Sequence, residues 1–247
     1  MESIEQIARA VLKADSIAVL TGAGVSTASG IPDFRSSEGL WTEDHSREYY
    51  MSSNYFYHDP EDFWKKYKAI FRLKLLKNYQ PNAVHSFFRE LEDKGKDMAV
   101  ITQNVDGLHT LAGSSRVLEY HGTLNTATCT SCGNSYDLDY VMGHEIPHCS
   151  KHGCGGILKP DVVLFGDMIS AHDEAEAIID RADLLLVMGT SLFVTPFNLL
   201  PEYACYQKGV ESVLINGEPT VKDYLFDHVI HDDLAKTVKK IKKAIEK

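Results

Sequence analysis

Four of the five cysteines fall within one short stretch. Cys129 and Cys132 enclose two residues, sixteen residues follow, and Cys149 and Cys154 then enclose four. Two knuckles at this separation can close a tetrahedral Zn²⁺ site, with thiolates about 2.3 Å from the ion. Four protein ligands leave no position for a reacting water, so the expected metal is structural. The second pair is looser than C-x2-C, and His148 or His152 could replace one ligand. Cys205, in the helical stretch "PEYACYQKG", reads as a small core residue.

A second chemical stretch is "TGAGVSTASGIPDFRS", Thr21–Ser36, directly after the apolar run "SIAVL". Gly22, Ala23 and Gly24 suggest a turn where the backbone can approach a pyrophosphate at a helix N-terminus. The dinucleotide fingerprint G-x-G-x-x-G is nevertheless incomplete. Asp33, Phe34 and Arg35 follow at once, and Arg35 offers a bidentate partner for phosphate. Phe34 could cover a sugar or ring, or simply fill the core.

Three further clusters end apolar runs. Gln103, Asn104 and Asp106 in "TQNVDGLH" supply amides and a carboxylate beyond the run "MAVI", where open α/β sheets bind ligands. A carboxamide-bearing ring such as nicotinamide suits them; loop capping is the plain alternative. Gly189, Thr190 and Ser191 offer N–H and hydroxyl donors to phosphate, and Asn216 and Glu218 offer partners for a ribose. His121, in "EYHGTL", is a candidate general base because an imidazole titrates near neutrality. Asp233 opens the last helix, where the bland role is an N-cap.

These groups need elements to hold them. Ile17–Leu20, Met98–Ile101, Val162–Phe165, Leu184–Met188, Val213–Ile215 and Val229–Ile230 are short apolar runs that mostly do not alternate with polar residues. Strands covered on both faces read this way. Helical stretches Asp173–Asp180 and Asn198–Lys208 lie between them. Ile4, Ile7, Ala8, Val11 and Leu12 predict an amphipathic first helix, and Leu234, Val238, Ile241 and Ile245 a last one. The expected fold is α/β, a doubly wound parallel sheet of Rossmann-like form. It carries two insertions: a cofactor loop and helical segment over 37–80, and a zinc-binding module over 124–158. The nucleotide-binding domain then comprises 1–36, 81–123 and 159–247.

Composition narrows the functions. The 247 residues carry 25 Lys and Arg against 35 Asp and Glu, a net charge of −10, which argues against nucleic-acid binding and suits a basic partner. No run approaches the roughly 20 apolar residues of a membrane span. The N-terminal "MESIEQIARAVLKAD" is unlike a signal peptide, and clustered cysteines suit a reducing, cytoplasmic setting.

In order along the chain, "GAGVSTASGIPDFRS", "TQNVDGLH", His121-Gly122, the four cysteines, "PDVVLFGD", "GTSLFVTP" and "INGEPT" resemble the sirtuins, NAD-dependent protein-lysine deacylases. The resemblance runs from about residue 4 to the last helix. It implies that the glycine turn and "PDFR" form a loop holding NAD for glycosidic cleavage rather than hydride transfer. Ala23, Thr27, Phe34 and Arg35 match cofactor-loop positions. Gln103, Asn104, Val105 and Asp106 match the ribose and nicotinamide pocket, and His121 the base. Thr190, Ser191, Asn216 and Asp233 match adenosine-side contacts. Val162, Leu164, Phe165 and Gly166 match the segment beside which an acyl-lysine peptide adds as a strand. The implied reaction transfers the acyl group to ADP-ribose after the acyl oxygen displaces nicotinamide. His121, with Asn104 and Asp106, would carry the catalysis. Acetyl-lysine proteins or peptides are the implied substrates, NAD the co-substrate and Zn²⁺ the structural metal.

Two positions depart from the family pattern. Asp167 stands in "FGD" where Glu is usual. In "PEDFWKKYKAI", Tyr67 is present but Ile70 stands where relatives that remove acidic acyl groups carry Arg.

Overall fold

A computed structural model describes residues 2–32, 46–76 and 79–247. Its strands, in chain order, are β1 (Ser16–Thr21), β2 (Asp97–Thr102), β3 (Val117–Glu119), β4 (Gly122–Cys129), β5 (Ser135–Asp137), β6 (Leu158–Val162), β7 (Leu184–Met188), β8 (Glu211–Asn216) and β9 (His228–His231). Among the described residues they make two sheets. The larger has the order β3-β2-β1-β7-β8-β9, and every neighbouring pair in it is parallel. Counting only its own strands, that order is 3-2-1-4-5-6, the doubly wound arrangement whose order reverses between β1 and β7.

The unbroken apolar runs follow from this burial. Ile17 to Leu20 and Leu184 to Met188 are at most 1% exposed because helices cover both faces. On one face, Ile7, Val11, Val84, Phe88, Val238 and Ile241 pack on Val19, Val100 and Leu186. On the other, Ala175, Ile179, Phe197 and Leu200 pack on Leu20, Ile101 and Leu214. The first helix, Glu2–Lys13, lies against the last, Leu234–Ile245. Leu12 is 51% exposed, whereas Ala10 is buried and takes part in the stripe.

The smaller sheet has the order β5-β4-β6 and is antiparallel. This corrects the reading of Val162–Phe165 as a parallel strand. Val162 ends β6, which pairs with β4, and the chain then leaves the sheet with Phe165 40% exposed. Strand β3, three partly buried residues, had no apolar run to announce it. The expected helix over Asn198–Lys208 divides into a short 3₁₀ turn, one helical turn and a π-helix, Tyr203–Lys208.

The helix Pro60–Leu76 binds the smaller sheet to the rest. Phe63, Trp64, Tyr67 and Phe71 share a core with Ala127, Leu158 and Leu164, and Trp64 Nε1 donates to the Leu158 carbonyl at 2.8 Å. Lys68 Nζ donates to the Val141 carbonyl at 2.7 Å and also to that of His144. Among the described residues no helix is long and apolar enough to cross a membrane.

Candidate active site

At the order reversal, the loops after β1 and β7 leave their strands side by side. Gly22 N–H donates to the Met188 carbonyl at 3.2 Å and Gly24 N–H to that of Gly189 at 2.9 Å. A Cβ on Gly22 would lie 2.8 Å from Gly189 O, and one on Gly24 2.8 Å from Gly189 Cα. The glycines are therefore required by the contact of two loops. Among the described residues of this loop the expected helix N-terminus does not form: Ala23–Val25 and Thr27–Ser29 are single 3₁₀ turns.

A cavity of about 1080 Å³ opens over this junction. Ala23, Gly24 and Thr27 line it from the first loop, and Gly189, Thr190 and Ser191 from the second. Gln103, Asn104 and Val105 enter from the end of β2, His121 from the link between β3 and β4, and Asn216 and Glu218 from the end of β8. Val162, Leu164, Phe165 and Gly166 form the wall toward the smaller sheet. Such a crevice beyond the carboxyl ends of strands is the general ligand site of this architecture.

Gln103 Oε1 accepts from Thr190 Oγ1 at 3.2 Å, while its buried Nε2 has no partner in the structure. A buried amide donor at a cavity wall suits an oxygen-rich ligand. Leu192 is held at φ +55°, an uncommon state for a non-glycine residue, with its N–H on Thr190 Oγ1. Gly122, beside His121, has φ +74°, and a Cβ there would meet Asp161 O at 1.9 Å. Only glycine lets β4 start so close to β6, and this closeness draws the His121 carbonyl onto Val163 N–H at 2.8 Å.

Three predicted positions do not line the cavity. Gly22 lies in the loop junction. Asp233 caps the last helix by accepting from Lys236 N–H at 2.7 Å, and the adjoining Leu234 faces the cavity instead. Asp106 sits one layer behind: Oδ2 accepts from Ser26 Oγ at 2.7 Å and Oδ1 from Leu108 N–H at 3.0 Å. Asp33, Phe34 and Arg35 lie outside the described residues.

Ser26 was missed in the sequence, although it stands inside the glycine loop. Its hydroxyl also receives Asn104 Nδ2 at 3.1 Å, which leaves the Asn104 side-chain oxygen to be turned elsewhere. Behind it, His85 Nδ1 accepts from Asn82 N–H, so the ring proton is on Nε2, 3.5 Å from Ser26 Oγ. Burial pulls His85 down to about 4 and His109 well below the usual imidazole value. His109 is bonded to Thr21 Oγ1 at 3.0 Å and sealed from the cavity. The helical insertion also contributes Glu48, Met51 and Phe71 to the cavity, with no spacing signal to announce them. Tyr67 and Ile70 do not line it. Asp167 Oδ2 closes its own loop, accepting from Lys159 Nζ at 2.7 Å and Leu164 N–H at 3.0 Å.

The four cysteine Sγ atoms lie within 4.8 Å of one another. Cys129 and Cys154 are 3.7 Å apart, and Cys132 and Cys149 3.6 Å. Ligands about 2.3 Å from a tetrahedral Zn²⁺ stand about 3.75 Å from each other, so the set fits zinc and is far too long for disulfides. His148 is turned to the Gly155 carbonyl and is not part of it.

Fold and site thus define a nucleotide-binding α/β protein with a four-cysteine metal lobe and a histidine in its cofactor crevice. The Sir2 family pattern matches residues 22–196, and the chain belongs to that family. It is 50% identical over 247 residues to NAD-dependent protein deacetylase 2 of Geobacillus kaustophilus, covering all of this chain and 99% of that protein. It is 49% identical to the NAD-dependent protein deacetylase of Bacillus subtilis, over 90% of this chain and 92% of the other. A Sir2 protein solved with deacetylated p53 peptide and 3′-O-acetyl ADP ribose superposes over 97% of both chains, with a TM-score of 0.88 and 30% identity.

Proposed function

We propose that this chain is an NAD-dependent protein-lysine deacetylase that moves the acetyl group of a lysine side chain onto ADP-ribose and releases nicotinamide. The observation that carries this reading is the meeting in one cavity of His121, Gln103, Asn104 and the donor-rich Gly189–Ser191 loop, at the order reversal of a parallel sheet. Bound NAD supplies an activated ribose carbon with a positively charged leaving group.

The residues divide the work. Ala23, Gly24, Thr27, Gly189, Thr190 and Ser191 hold the phosphates and adjoining sugars, and Asn216 and Glu218 the adenosine end. Phe34 and Arg35 complete the cofactor loop. Asn104, oriented by Ser26 and Asp106, and Gln103 bind the nicotinamide-side ribose. His121 takes a proton from a ribose hydroxyl. Val162, Leu164, Phe165 and Gly166 receive the acyl-lysine segment, and Met51, Phe71, Val105 and Leu164 give the acyl group an apolar site. Cys129, Cys132, Cys149 and Cys154 hold one Zn²⁺, which fixes the end of β4 to the segment before β6. The division into a nucleotide-binding domain, the 37–80 insertion and the 124–158 module assigns these roles to separate segments. Cytoplasmic location belongs to the same reading, since metal-binding thiols need a reducing compartment.

Mass spectrometry of one reaction tests it. Purified protein, NAD and an acetyl-lysine peptide should give deacetylated peptide, nicotinamide and O-acetyl-ADP-ribose in equal amounts. Formation of reduced nicotinamide, or no consumption of NAD, refutes it.

A further inference from the structure

The residue before His121 is Tyr120, only 1% exposed. A phenol buried this deeply needs a hydrogen-bond partner. Its hydroxyl lies 2.6 Å from His172 Nδ1. Burial, assisted by the Glu176 carboxylate, pushes the phenol up to about 12, so it keeps its proton and can donate to that nitrogen. When His172 Nδ1 accepts from it, the ring's other nitrogen, Nε2, carries a proton. That nitrogen is 3.5 Å from Glu176 Oε1, one turn further along the helix His172–Ile179.

The other end of this chain of groups is the Tyr120 ring. It stands at 72° to the His121 ring with centroids 5.3 Å apart. Phe197, itself fully buried, closes the cluster at 5.1 Å from Tyr120 and 6.4 Å from His121. The imidazole at the cavity wall is thus bordered by two rings, and one of those is tethered through its hydroxyl. A leucine or phenylalanine could fill the same space without a partner. The hydroxyl adds a directional bond that fixes how the ring sits.

We propose that Tyr120, His172 and Glu176 form a positioning relay for His121, in which the helix His172–Ile179 sets the orientation of the imidazole from outside the cavity. This rests on His121 being the base, as inferred above. None of the three needs to touch substrate. They act by holding the His121 ring where its nitrogen meets the ribose hydroxyl, and catalytic rate is steeply sensitive to such placement, with about 100-fold lost per ångström.

The test compares Tyr120→Phe, His172→Ala, His172→Asn and the double variant Tyr120→Phe/His172→Ala, with His121→Ala as reference. Deacetylation kcat, KM for NAD and exchange of labelled nicotinamide into NAD are measured on each, alongside thermal stability. Tyr120→Phe and His172→Ala should lower kcat about five- to tenfold. They should leave KM within about twofold and exchange unchanged, because exchange precedes the step that needs the base. The double variant should be no worse than either single one, since both remove the same bond. His172→Asn, whose side-chain oxygen can accept in place of Nδ1, should recover most of the loss. Wild-type kcat in both single variants, or exchange and deacetylation falling together, overturns the relay, even if melting temperature drops. If His121→Ala separates the two activities while the relay variants do not, only the relay fails. If His121→Ala itself does not separate them, the reading of the base fails and the relay with it.

Discussion

At the scale of the residue, the site divides into groups that face the cavity and groups that orient them. His121 and Asn104 face it, while Ser26 and Asp106 stand behind Asn104 and fix its amide. The two classes of change should have different signatures. His121→Ala should abolish net deacetylation, a loss of about 10²–10⁴-fold for a general base, yet retain nicotinamide exchange driven by acetyl-lysine peptide. Asn104→Ala or Asp106→Ala should suppress both activities together. Isotope exchange and deacetylation measured on the same preparations check this. Loss of exchange in a folded, NAD-binding His121→Ala protein would return that residue to a positioning role. His109 would not replace it, because it is buried on Thr21 behind the first loop. The cavity-facing residues after β1, β2, β7 and β8 were legible in the sequence because each group follows an apolar strand, whereas His121 was legible only from its own chemistry and the motif around it. Ser26 and the placement of Asp106 were not, because a hydrogen bond between loops 80 residues apart leaves no local pattern.

Among the elements, the smaller sheet and the helix Pro60–Leu76 stand or fall together. Metal binding in such lobes is folding free energy, on the order of 10 kcal/mol. Removing zinc with a chelator, or Cys129→Ser, should release β4–β6 and with them Trp64, whose indole is bonded to the Leu158 carbonyl. In a Trp41→Phe background, Trp64 emission should shift to the red on chelation as activity is lost. An active, metal-free protein with unchanged emission argues against the metal lobe. The same helix shapes the cavity wall that we assign to the acyl group. Phe71, not Ile70, reaches the cavity, with Met51 and Leu164 beside it. A succinyl carboxylate placed there without a cation costs several kcal/mol, so acetyl peptide should exceed succinyl peptide in kcat/KM by at least about 100-fold. Equal rates would mean that a cation reaches the acyl group. Five of the six parallel strands were readable because two-sided burial gives unbroken apolar runs; the short, partly buried β3 was not. Val162–Phe165 misled for the same reason: four apolar residues look alike whether they end an antiparallel strand or form a cavity wall.

For the whole molecule, the two imidazoles behind the cavity tie folding to pH. His85 and His109 have rings 4.7 Å apart, and both are held below the ordinary value near 6.5, His85 at about 4. The first cause in each is burial, which disfavours the charged ring; their proximity adds to it for His109. The unfolded chain therefore takes up protons as pH falls through about 6.5, while the folded protein does not until far lower. The contribution of these groups is complete above about 6.5 and is lost as pH falls toward 4, on the order of 3 kcal/mol for His85 alone. Urea unfolding at several pH values between 4 and 8 measures the slope. His85→Gln isolates it. Gln at this third helical position can still reach back to Asn82 N–H, as His85 Nδ1 does, so the capping box survives. It carries no titrating group. The variant should have near wild-type stability at pH 7.5, to within about 1 kcal/mol, and a visibly shallower decline below pH 6. An acid slope identical to that of the parent would show that His85 is as readily protonated in the fold as in the open chain. Its burial behind Ser26 would then be looser than a ring with no exposed surface allows.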